Sequence, residues 1–262
     1  MKTKNTFFRI FCAICVAIQI FCISFNIGYA IDLDKIYGEI LSREDIPDNY
    51  LYRKINDRYC KPRLIPSNKP CASEEEHVLY AIKTGEADFL SKRETKLYHI
   101  VEFFAEHHSD ENSLQKTYAA VTTVDYLCDY DLDADRRWTA YSALISRRAV
   151  CSGYSRAVQL LLNAVGVKCF YIVGDIAGYS AGHAWNIVRL DDDSFLHIDS
   201  TWADNNDYLD QFNRIRPELK YLFLTDENLA DRSWNTDFYP SANGDANKYK
   251  EQLEEEYYAE KY

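Results

Sequence analysis

The sequence predicts an α+β fold, in which helices come first along the chain and an antiparallel sheet follows them. Before position 128, apolar residues recur at helical spacing. A helix-like apolar run follows Cys151, and Gly166 is a typical helix-end glycine. After Gly166, short runs rich in β-branched and aromatic residues alternate with turn residues, which is the pattern of strands.

The part of the chain before the sheet is expected to be mainly helical over residues 31–110, with irregular joints. Its best helix start is Ser73, a capping residue followed by three glutamates in the first turn, and Gly85 is expected to end that helix. Residues 49–72 are rich in Pro, Asn, Arg and Lys and are expected to form a loop. Further stretches with apolar residues in helical register span residues 92–107 and 114–127.

The sheet is expected to contain four strands. The second and third are joined by a turn of three aspartates and a serine at residues 191–194. The segment 241–262 is rich in Asn, Glu, Lys and Tyr, so we expect a mobile or weakly helical acidic tail there. The expected strands span residues 167–173, 183–190, 195–199 and 221–224.

Cys151 is the most informative residue of the chain. It lies where a polar stretch changes into an apolar helical run. A thiol at a helix N-terminus meets the positive end of the helix dipole and several unpaired backbone N–H groups, and both favour the thiolate. The alternative is an inert buried cysteine, but the polar neighbours and Gly153 favour a nucleophile.

A histidine and an aspartate follow Cys151 in well-defined contexts. His183 lies in the motif Gly-His-Ala-Trp-Asn, and Asp199 lies in the motif His-Ile-Asp-Ser-Thr-Trp. Cysteine, histidine and aspartate are the components of a thiol nucleophile, its general base and the residue that orients the base. Gly182 before the histidine is expected to let backbone or substrate approach closely.

These motifs resemble the core of the transglutaminase-like, or papain-like, superfamily in its bacterial form. The resemblance covers roughly residues 120–234 and includes residues 140–144 and 221–226. It implies that Cys151 is the nucleophile, His183 the base and Asp199 the orienting residue. It does not determine the reaction, because members include protein crosslinkers, peptidases, amide hydrolases and inactive proteins.

The domain organisation expected from these observations has four parts. The nucleophile helix is expected to pack on the antiparallel sheet within the catalytic core. The parts are a signal segment at 1–30, the helical region at 31–110, the transglutaminase-like core at 111–240 and the tail at 241–262.

Counting residues along the expected hairpin only partly supports the contact between His183 and Asp199. The turn lies near Asp192, so simple pairing places residue 183 opposite 201–202 rather than 199. The contact therefore requires a diagonal pair or a bulge. His197 lies on the same face of the strand as Asp199. We expect a partly exposed histidine that packs beside the site, since one base suffices for this chemistry.

The aromatic residues near the motifs have several interpretations. Trp185 and Trp202 are expected to pack around the three motif residues, with the wall of a substrate cleft as the alternative. Stabilising an oxyanion requires hydrogen-bond donors, and the backbone N–H of Cys151 is one candidate. Tyr141, in the family-like segment upstream of Cys151, is a candidate for the other donor.

Residues 1–30 resemble a secretory signal. A basic start and a long apolar stretch precede Gly28-Tyr29-Ala30, so cleavage after Ala30 is expected and an uncleaved anchor is the alternative. We therefore expect a secreted or cell-envelope protein. Among the five cysteines beyond this segment, Cys60 and Cys71 flank a proline-containing loop and are the natural disulfide pair. Cys128 and Cys169 are expected to be small buried residues.

The formal net charge of −11 argues against nucleic acid or an anionic membrane surface as the main partner. No cofactor motif is apparent, and no Cys/His cluster has zinc spacing. The acidic residues 129–135 lack the glycine and glutamate that a calcium loop requires, so a solvated turn is expected. We therefore expect a peptide or protein substrate, no cofactor and no metal.

Two classes of function remain open. The first is an exported thiol-dependent amide or peptide-bond hydrolase that works through an acyl-enzyme. Acyl transfer to a lysine, which is transglutaminase crosslinking, would use identical residues. The second class is a non-catalytic envelope interaction module that retains the fold, with residues 31–110 and the acidic tail as its binding surfaces.

Overall fold

A computed structural model describes residues 63–64, 70–71, 73–205 and 216–258 of the chain. It confirms the predicted α+β class, with helices first and an antiparallel sheet after them. The helices are α1 Glu74–Thr84, α2 Lys92–His108, α3 Ser113–Leu127, α4 Ala140–Leu144, α5 Cys151–Ala164, α6 Ser200–Ala203 and α7 Ala246–Leu253. The strands are β1 Arg63–Leu64, β2 Pro70–Cys71, β3 Asp129–Tyr130, β4 Arg148–Ala149, β5 Cys169–Ile176, β6 His183–Arg189, β7 Phe195–Ile198, β8 Leu222–Leu224 and β9 Arg232–Ser233.

The first three helices begin with reciprocal side-chain caps. Ser73, Ser91 and Asn112 each accept from a backbone N–H three residues on, and the residue at that position bonds back to the cap. The predicted cap at Ser73 is therefore confirmed. Gly85 ends α1 with φ of 74°, a conformation that favours glycine. These caps fix where each helix begins, so the helical boundaries agree closely with the sequence predictions.

Helix α5 lies between the other helices and the sheet. It packs against α1 to α4 on one side and against β5 and β6 on the other. Its side chains Tyr154, Leu161 and Leu162 are fully buried. A helix that is covered on most sides must be apolar on most sides, which explains the run of leucines and valine after Cys151. The start of this helix is consequently held rigidly against the sheet.

The described residues form a five-stranded sheet in the order β8-β7-β6-β5-β9, and every neighbouring pair is antiparallel. The β6–β7 register pairs Asn186 with Ile198 and Arg189 with Phe195. Phe223 has a positive φ of 52° at the register shift between β7 and β8, so a bulge lies in that pair. One face of the sheet buries Ile172, Trp185 and Ile187.

A short parallel pair joins the segment before α4 to the start of α5. Strand β3 pairs with β4 so that Tyr130 lies opposite Ala149, two residues before Cys151. Backbone bonds from Asp129 to Arg147 and from Asp131 to Ala149 complete the pair. Sequence analysis predicted only a turn here, because two-residue strands carry no periodic signal.

The predicted tail contains a helix that packs on the sheet. Tyr249 and Leu253 of α7 are buried, and Tyr249 stacks on Phe223 of β8. Farther along, Tyr257 stacks on Tyr118 of α3. Ala246–Leu253 of this segment therefore forms a packed helix rather than the mobile or weakly helical tail predicted, because Tyr249 and Leu253 bury apolar surface.

Several predictions concern residues outside the described part of the chain. The signal segment 1–30, Cys60 and most of the predicted loop 49–72 lie there, and the described part of that loop forms the antiparallel pair β1–β2. Only the backbone of Cys71 is described, so the disulfide stays a prediction. Among the described helices, none is both long and apolar enough to cross a bilayer. Cys128 and Cys169 are buried, as predicted, and burial raises the pKa of each thiol.

Candidate active site

The structure brings together Cys151, His183 and Asp199. Cys151 is the first residue of α5, His183 is the first residue of β6, and Asp199 directly follows β7. The imidazole of His183 hydrogen-bonds to the thiol of Cys151 on one side. Its Nε2 lies 2.8 Å from Oδ2 of Asp199 on the other side. Because Nε2 is bound to the carboxylate, Nδ1 is the nitrogen left for the thiol.

The contact between His183 and Asp199 is the diagonal pair that the sequence analysis required. Extending the β6–β7 register beyond Asn186–Ile198 places Trp185 opposite Asp199 after one residue and His183 opposite Thr201 after three. The alternation of side chains keeps these residues on one face of the sheet. Diagonal neighbours on a face lie within reach of long side chains. The bulge lies instead between β7 and β8, so it is not what makes this contact.

Asp199 is held by the backbone as well as by its side-chain partners. Its Oδ1 accepts from the backbone N–H of Trp202 at 3.1 Å, which makes it the cap of α6. Its own N–H donates to the carbonyl of Tyr221 at 3.0 Å. The side chain is 1% exposed. A carboxylate fixed at both oxygens cannot rotate, so it determines the orientation of the imidazole.

The helix start at Cys151 is suited to an anion. The capping position is Val150, whose side chain makes no capping hydrogen bond. The backbone N–H groups of Ser152 and Ala184 are directed at the sulfur of Cys151. Unpaired N–H groups at the positive end of a helix dipole stabilise a thiolate.

The pKa values of the pair shift in opposite directions. Burial raises the pKa of the Cys151 thiol. The hydrogen bond and charge of His183 and the two backbone N–H groups lower this pKa by more than burial raises it, so it lies below its ordinary value. Burial lowers the pKa of His183, but its bonds to Asp199 and Cys151 and their negative charges raise it to about 9. The arrangement therefore favours a thiolate–imidazolium ion pair over a neutral pair.

The two tryptophans have different environments. Trp185 is fully buried and its ring stacks near that of His183, with centroids 6.0 Å apart. This agrees with the expected packing around the site. Trp202 is half-buried and lies 5.3 Å from the His183 ring and 6.2 Å from the ring of Tyr179, which is strongly exposed. Trp202 therefore covers the imidazole and also faces the surface, as a cleft wall would.

The structure surrounds Tyr141, the predicted oxyanion donor, with charged side chains and places Tyr130 next to the start of α5. The Arg93 guanidinium lies over the ring of Tyr141 at 3.4 Å, and the charged neighbours of its hydroxyl are Arg93, Glu74 and Arg136. Tyr130 instead accepts a hydrogen bond from the backbone N–H of Cys151. The β3–β4 pair sets this position, and nothing in the local sequence indicates it.

Arg232 is a site residue that sequence reasoning missed. Its Nη1 lies 2.6 Å from Oδ2 of Asp199, and both side chains are 1% exposed. The contact is an ion pair rather than an aligned hydrogen bond. The guanidinium also lies over the rings of Trp185 and Trp202, at 5.1 and 4.4 Å. Its strand, β9, is too short for a periodic signal, and its pairing with β5 is not local.

His197 is buried, not partly exposed as predicted. It is 1% exposed because β8 and Trp234 cover it. Its Nδ1 accepts from the indole N–H of Trp185 at 3.0 Å, and its Nε2 lies 2.8 Å from Asp226. It is therefore engaged at both nitrogens, which agrees with a packing role beside the site rather than a second base.

Comparisons with known proteins support the same family. Residues 102–200 match the family model of the transglutaminase-like superfamily, a range that contains Cys151, His183 and Asp199. The predicted resemblance to the transglutaminase-like superfamily is therefore confirmed over this range. No curated protein matches the chain.

Two solved structures are similar to the chain. One is a TGase with 19% identity over 51% of this chain and 39% of that one, with a TM-score of 0.36. The other is a candidate cysteine protease from Cytophaga hutchinsonii with 14% identity over 57% and 55% of the two chains, with a TM-score of 0.35. The chain thus spans less than two thirds of the length of either protein.

Proposed function

We propose that this protein is a thiol-dependent hydrolase of amide or peptide bonds that works through an acyl-enzyme on Cys151. The observation that carries the proposal is the position of His183, which contacts both the Cys151 thiol and the Asp199 carboxylate. A thiol, a base within hydrogen-bond reach and a fixed orienting group are the requirements of nucleophilic catalysis.

In the first step, the Cys151 thiolate attacks the carbonyl carbon of the substrate and forms a tetrahedral intermediate. The C–N bond then breaks, and the imidazolium of His183 gives its proton to the leaving amine. Asp199 stabilises the imidazolium while it exists and holds the ring for the transfer. The products of this step are a thioester on Cys151, a free amine and a neutral imidazole.

The oxyanion of the intermediate would bind between the backbone N–H of Cys151 and the hydroxyl of Tyr130. These groups are in contact in the free protein, with the N–H donating to the hydroxyl oxygen. When a carbonyl oxygen enters, both groups can donate to it, because the tyrosine O–H can turn toward the incoming charge. Tyrosine hydroxyls serve in this role elsewhere. Tyr130 is half exposed and therefore accessible from solvent.

In the second step, neutral His183 takes a proton from water as the water oxygen attacks the thioester. Collapse of this intermediate releases the carboxylic acid and restores the thiolate and imidazolium. If a primary amine attacks instead, the same residues perform acyl transfer. Hydrolysis is proposed over transfer by analogy with other small single-core members of the fold.

The substrates we propose are peptides or proteins at or outside the cell envelope. This location is a prediction from residues 1–30, which the structure does not describe. The net charge of −11 favours basic substrates over anionic ones. A module that binds partners without catalysis would not need the connected Cys151, His183 and Asp199, so that alternative is less well supported.

The test is to incubate the protein with a peptide library and a labelled primary amine, and to analyse all products by mass spectrometry. Hydrolysis predicts new peptide termini that disappear in Cys151→Ser. Cys169→Ser is the matched control, because that thiol is buried and lies at the opposite end of the β5–β6 pair from His183. Amine incorporation without cleavage would replace hydrolysis with acyl transfer. If the wild-type protein gives neither cleavage nor amine incorporation, the non-catalytic module would be favoured.

A further inference from the structure

The carboxylate of Asp199 is shared between two cations. Its Oδ2 lies 2.8 Å from Nε2 of His183 and 2.6 Å from Nη1 of Arg232. Arg232 is nearly inaccessible to water, with 1% of its side chain exposed. Because the pair is buried, the interaction between its charges is screened much less than it would be at the surface.

The charged and titratable groups around this carboxylate come from several elements. Helix α5 contributes the thiolate of Cys151, β6 contributes His183, and β9 contributes Arg232. Strand β7 contributes His197, which is bound to Asp226 beyond β8. The guanidinium of Arg232 thus meets the same carboxylate oxygen that orients the imidazole.

We propose that Arg232 is a positioning residue for the reaction, which anchors Asp199 and offsets part of its charge so that His183 can release its proton to the leaving amine. The inference rests on the proposed function. An unopposed carboxylate beside the imidazolium would hold that proton more tightly. A neutral partner in place of Asp199 would hold it too weakly. When Asp199 is paired with Arg232, its attraction for the imidazolium proton lies between these two cases.

The packing of Arg232 explains how it can serve this purpose. The guanidinium lies over the rings of Trp202 and Trp185, at 4.4 and 5.1 Å from their centroids. Flat contact with aromatic faces suits arginine and fixes its plane. Gly174 on β5 leaves room for this arrangement, since a Cβ there would lie 2.6 Å from the Trp185 ring and 2.3 Å from the carbonyl of Ser233.

The experiment measures the pH dependence of Cys151 alkylation by iodoacetamide, read by mass spectrometry, from pH 5 to 10. This readout follows ionisation of the Cys151–His183 pair and requires no substrate. The variants are Arg232→Met, Arg232→Lys, and the double variant Asp199→Asn with Arg232→Met. Asp192→Asn is the control, because this carboxylate lies on an exposed turn and is paired with Lys248.

In Arg232→Met, we expect the alkaline transition of the pair to move up by about one pH unit, since one nearby opposite or like charge shifts a pKa by that order. Arg232→Lys retains the charge and should stay close to the wild-type profile. An unchanged profile in a folded Arg232→Met protein would mean that Arg232 is only structural, and would overturn the inference.

The double variant keeps the test decisive if Arg232→Met does not fold, because it leaves no unpaired buried charge. Because Arg232 offsets only part of the charge of Asp199, removing both charges should lower the alkaline transition, but by less than about one pH unit. A fall of about a full unit or more would overturn the inference. Failure of the proposed function is distinguishable, because the wild-type protein itself would then show an ordinary thiol.

Discussion

The indole N–H of Trp185 donates to Nδ1 of His197 over 3.0 Å, and this bond fixes the protonation state of the histidine. Because Nδ1 accepts a hydrogen bond, it carries no hydrogen of its own. The ring is therefore neutral, with its hydrogen on Nε2, which lies 2.8 Å from Asp226. Trp185 also stacks near His183. The Asp226–His197–Trp185 series therefore supports the imidazole of the site from within the core.

This bond predicts a loss of stability in His197→Gln. The change removes at least one of the hydrogen bonds that His197 makes to Trp185 and Asp226. Loss of a hydrogen-bond partner in the protein interior costs about 1–3 kcal/mol in the free energy of unfolding. Chemical denaturation measures it. His108→Gln on α2 is the control, since that histidine is partly exposed and bonds only to a neighbouring glutamate. A variant of His197 as stable as the control would contradict the described bonding.

The same residue predicts a pH dependence of stability. Burial lowers the pKa of His197 below its ordinary value near 6.5, and the nearby charge of Arg232 acts in the same direction. The unfolded chain therefore binds a proton before the folded protein does, so stability is lost as pH falls below about 6.5. Thermal unfolding between pH 7 and 5 should show a smaller loss in His197→Gln than in wild type. An equal loss in both would show that His197 is not the source.

Gly153 and Gly182 predict opposite outcomes for an added methyl group. A Cβ at Gly153 would lie 2.6 Å from both the Cβ of Ala149 and the carbonyl oxygen of Arg137, so Gly153→Ala should cost about 3 kcal/mol or more. A Cβ at Gly182 would lie 3.4 Å from the nearest backbone oxygen. Gly182→Ala should therefore change stability by less than about 0.5 kcal/mol.

The second substitution also tests the predicted approach of substrate to Gly182. If substrate passes over this residue, Gly182→Ala should raise KM while the unfolding free energy stays unchanged. Steady-state kinetics with a peptide found in the library screen measures it. An unchanged KM would show that the glycine does not make room for substrate.

The oxyanion role of Tyr130 predicts that Tyr130→Phe lowers kcat about 100-fold, because removing one such donor typically has that effect. KM should change little, since the donor acts mainly on the charge that develops in the transition state. Tyr141→Phe is the matched control and should leave kcat near wild type. If the two variants behaved alike, or if Tyr130→Phe were more active, Tyr130 would not be the donor.

The sequence predicted the residues of the site better than their surroundings. Cys151, His183 and Asp199 lie in continuous motifs, and the turn at residues 191–194 indicated the β6–β7 register well enough to require a diagonal contact or a bulge. Tyr130 and Arg232 reach the site through strands of two residues each, whose pairing is non-local. No periodic pattern can indicate such contacts, because two residues do not make a period.

Burial was also harder to predict than position. His197 was placed on the correct face, but its exposure was wrong because the coverage comes from β8 and Trp234, which are distant in sequence. The tail was predicted from its polar composition, whereas Tyr249 and Leu253 recur at helical spacing and pack on the sheet. The prediction relied on the composition of the segment, whereas the helical spacing of Tyr249 and Leu253 indicates the helix that the structure contains.

The most direct test of the site is the rate of alkylation of each cysteine as a function of pH, in wild type and in His183→Ala. Cys128 and Cys169 are internal controls, because burial raises the pKa of both thiols. We expect Cys151 to react rapidly well below pH ~8.5, the pKa of a free thiol, and to lose this reactivity in His183→Ala. Slow reaction of Cys151 with ordinary thiol behaviour in both proteins would contradict an activated Cys151–His183 pair.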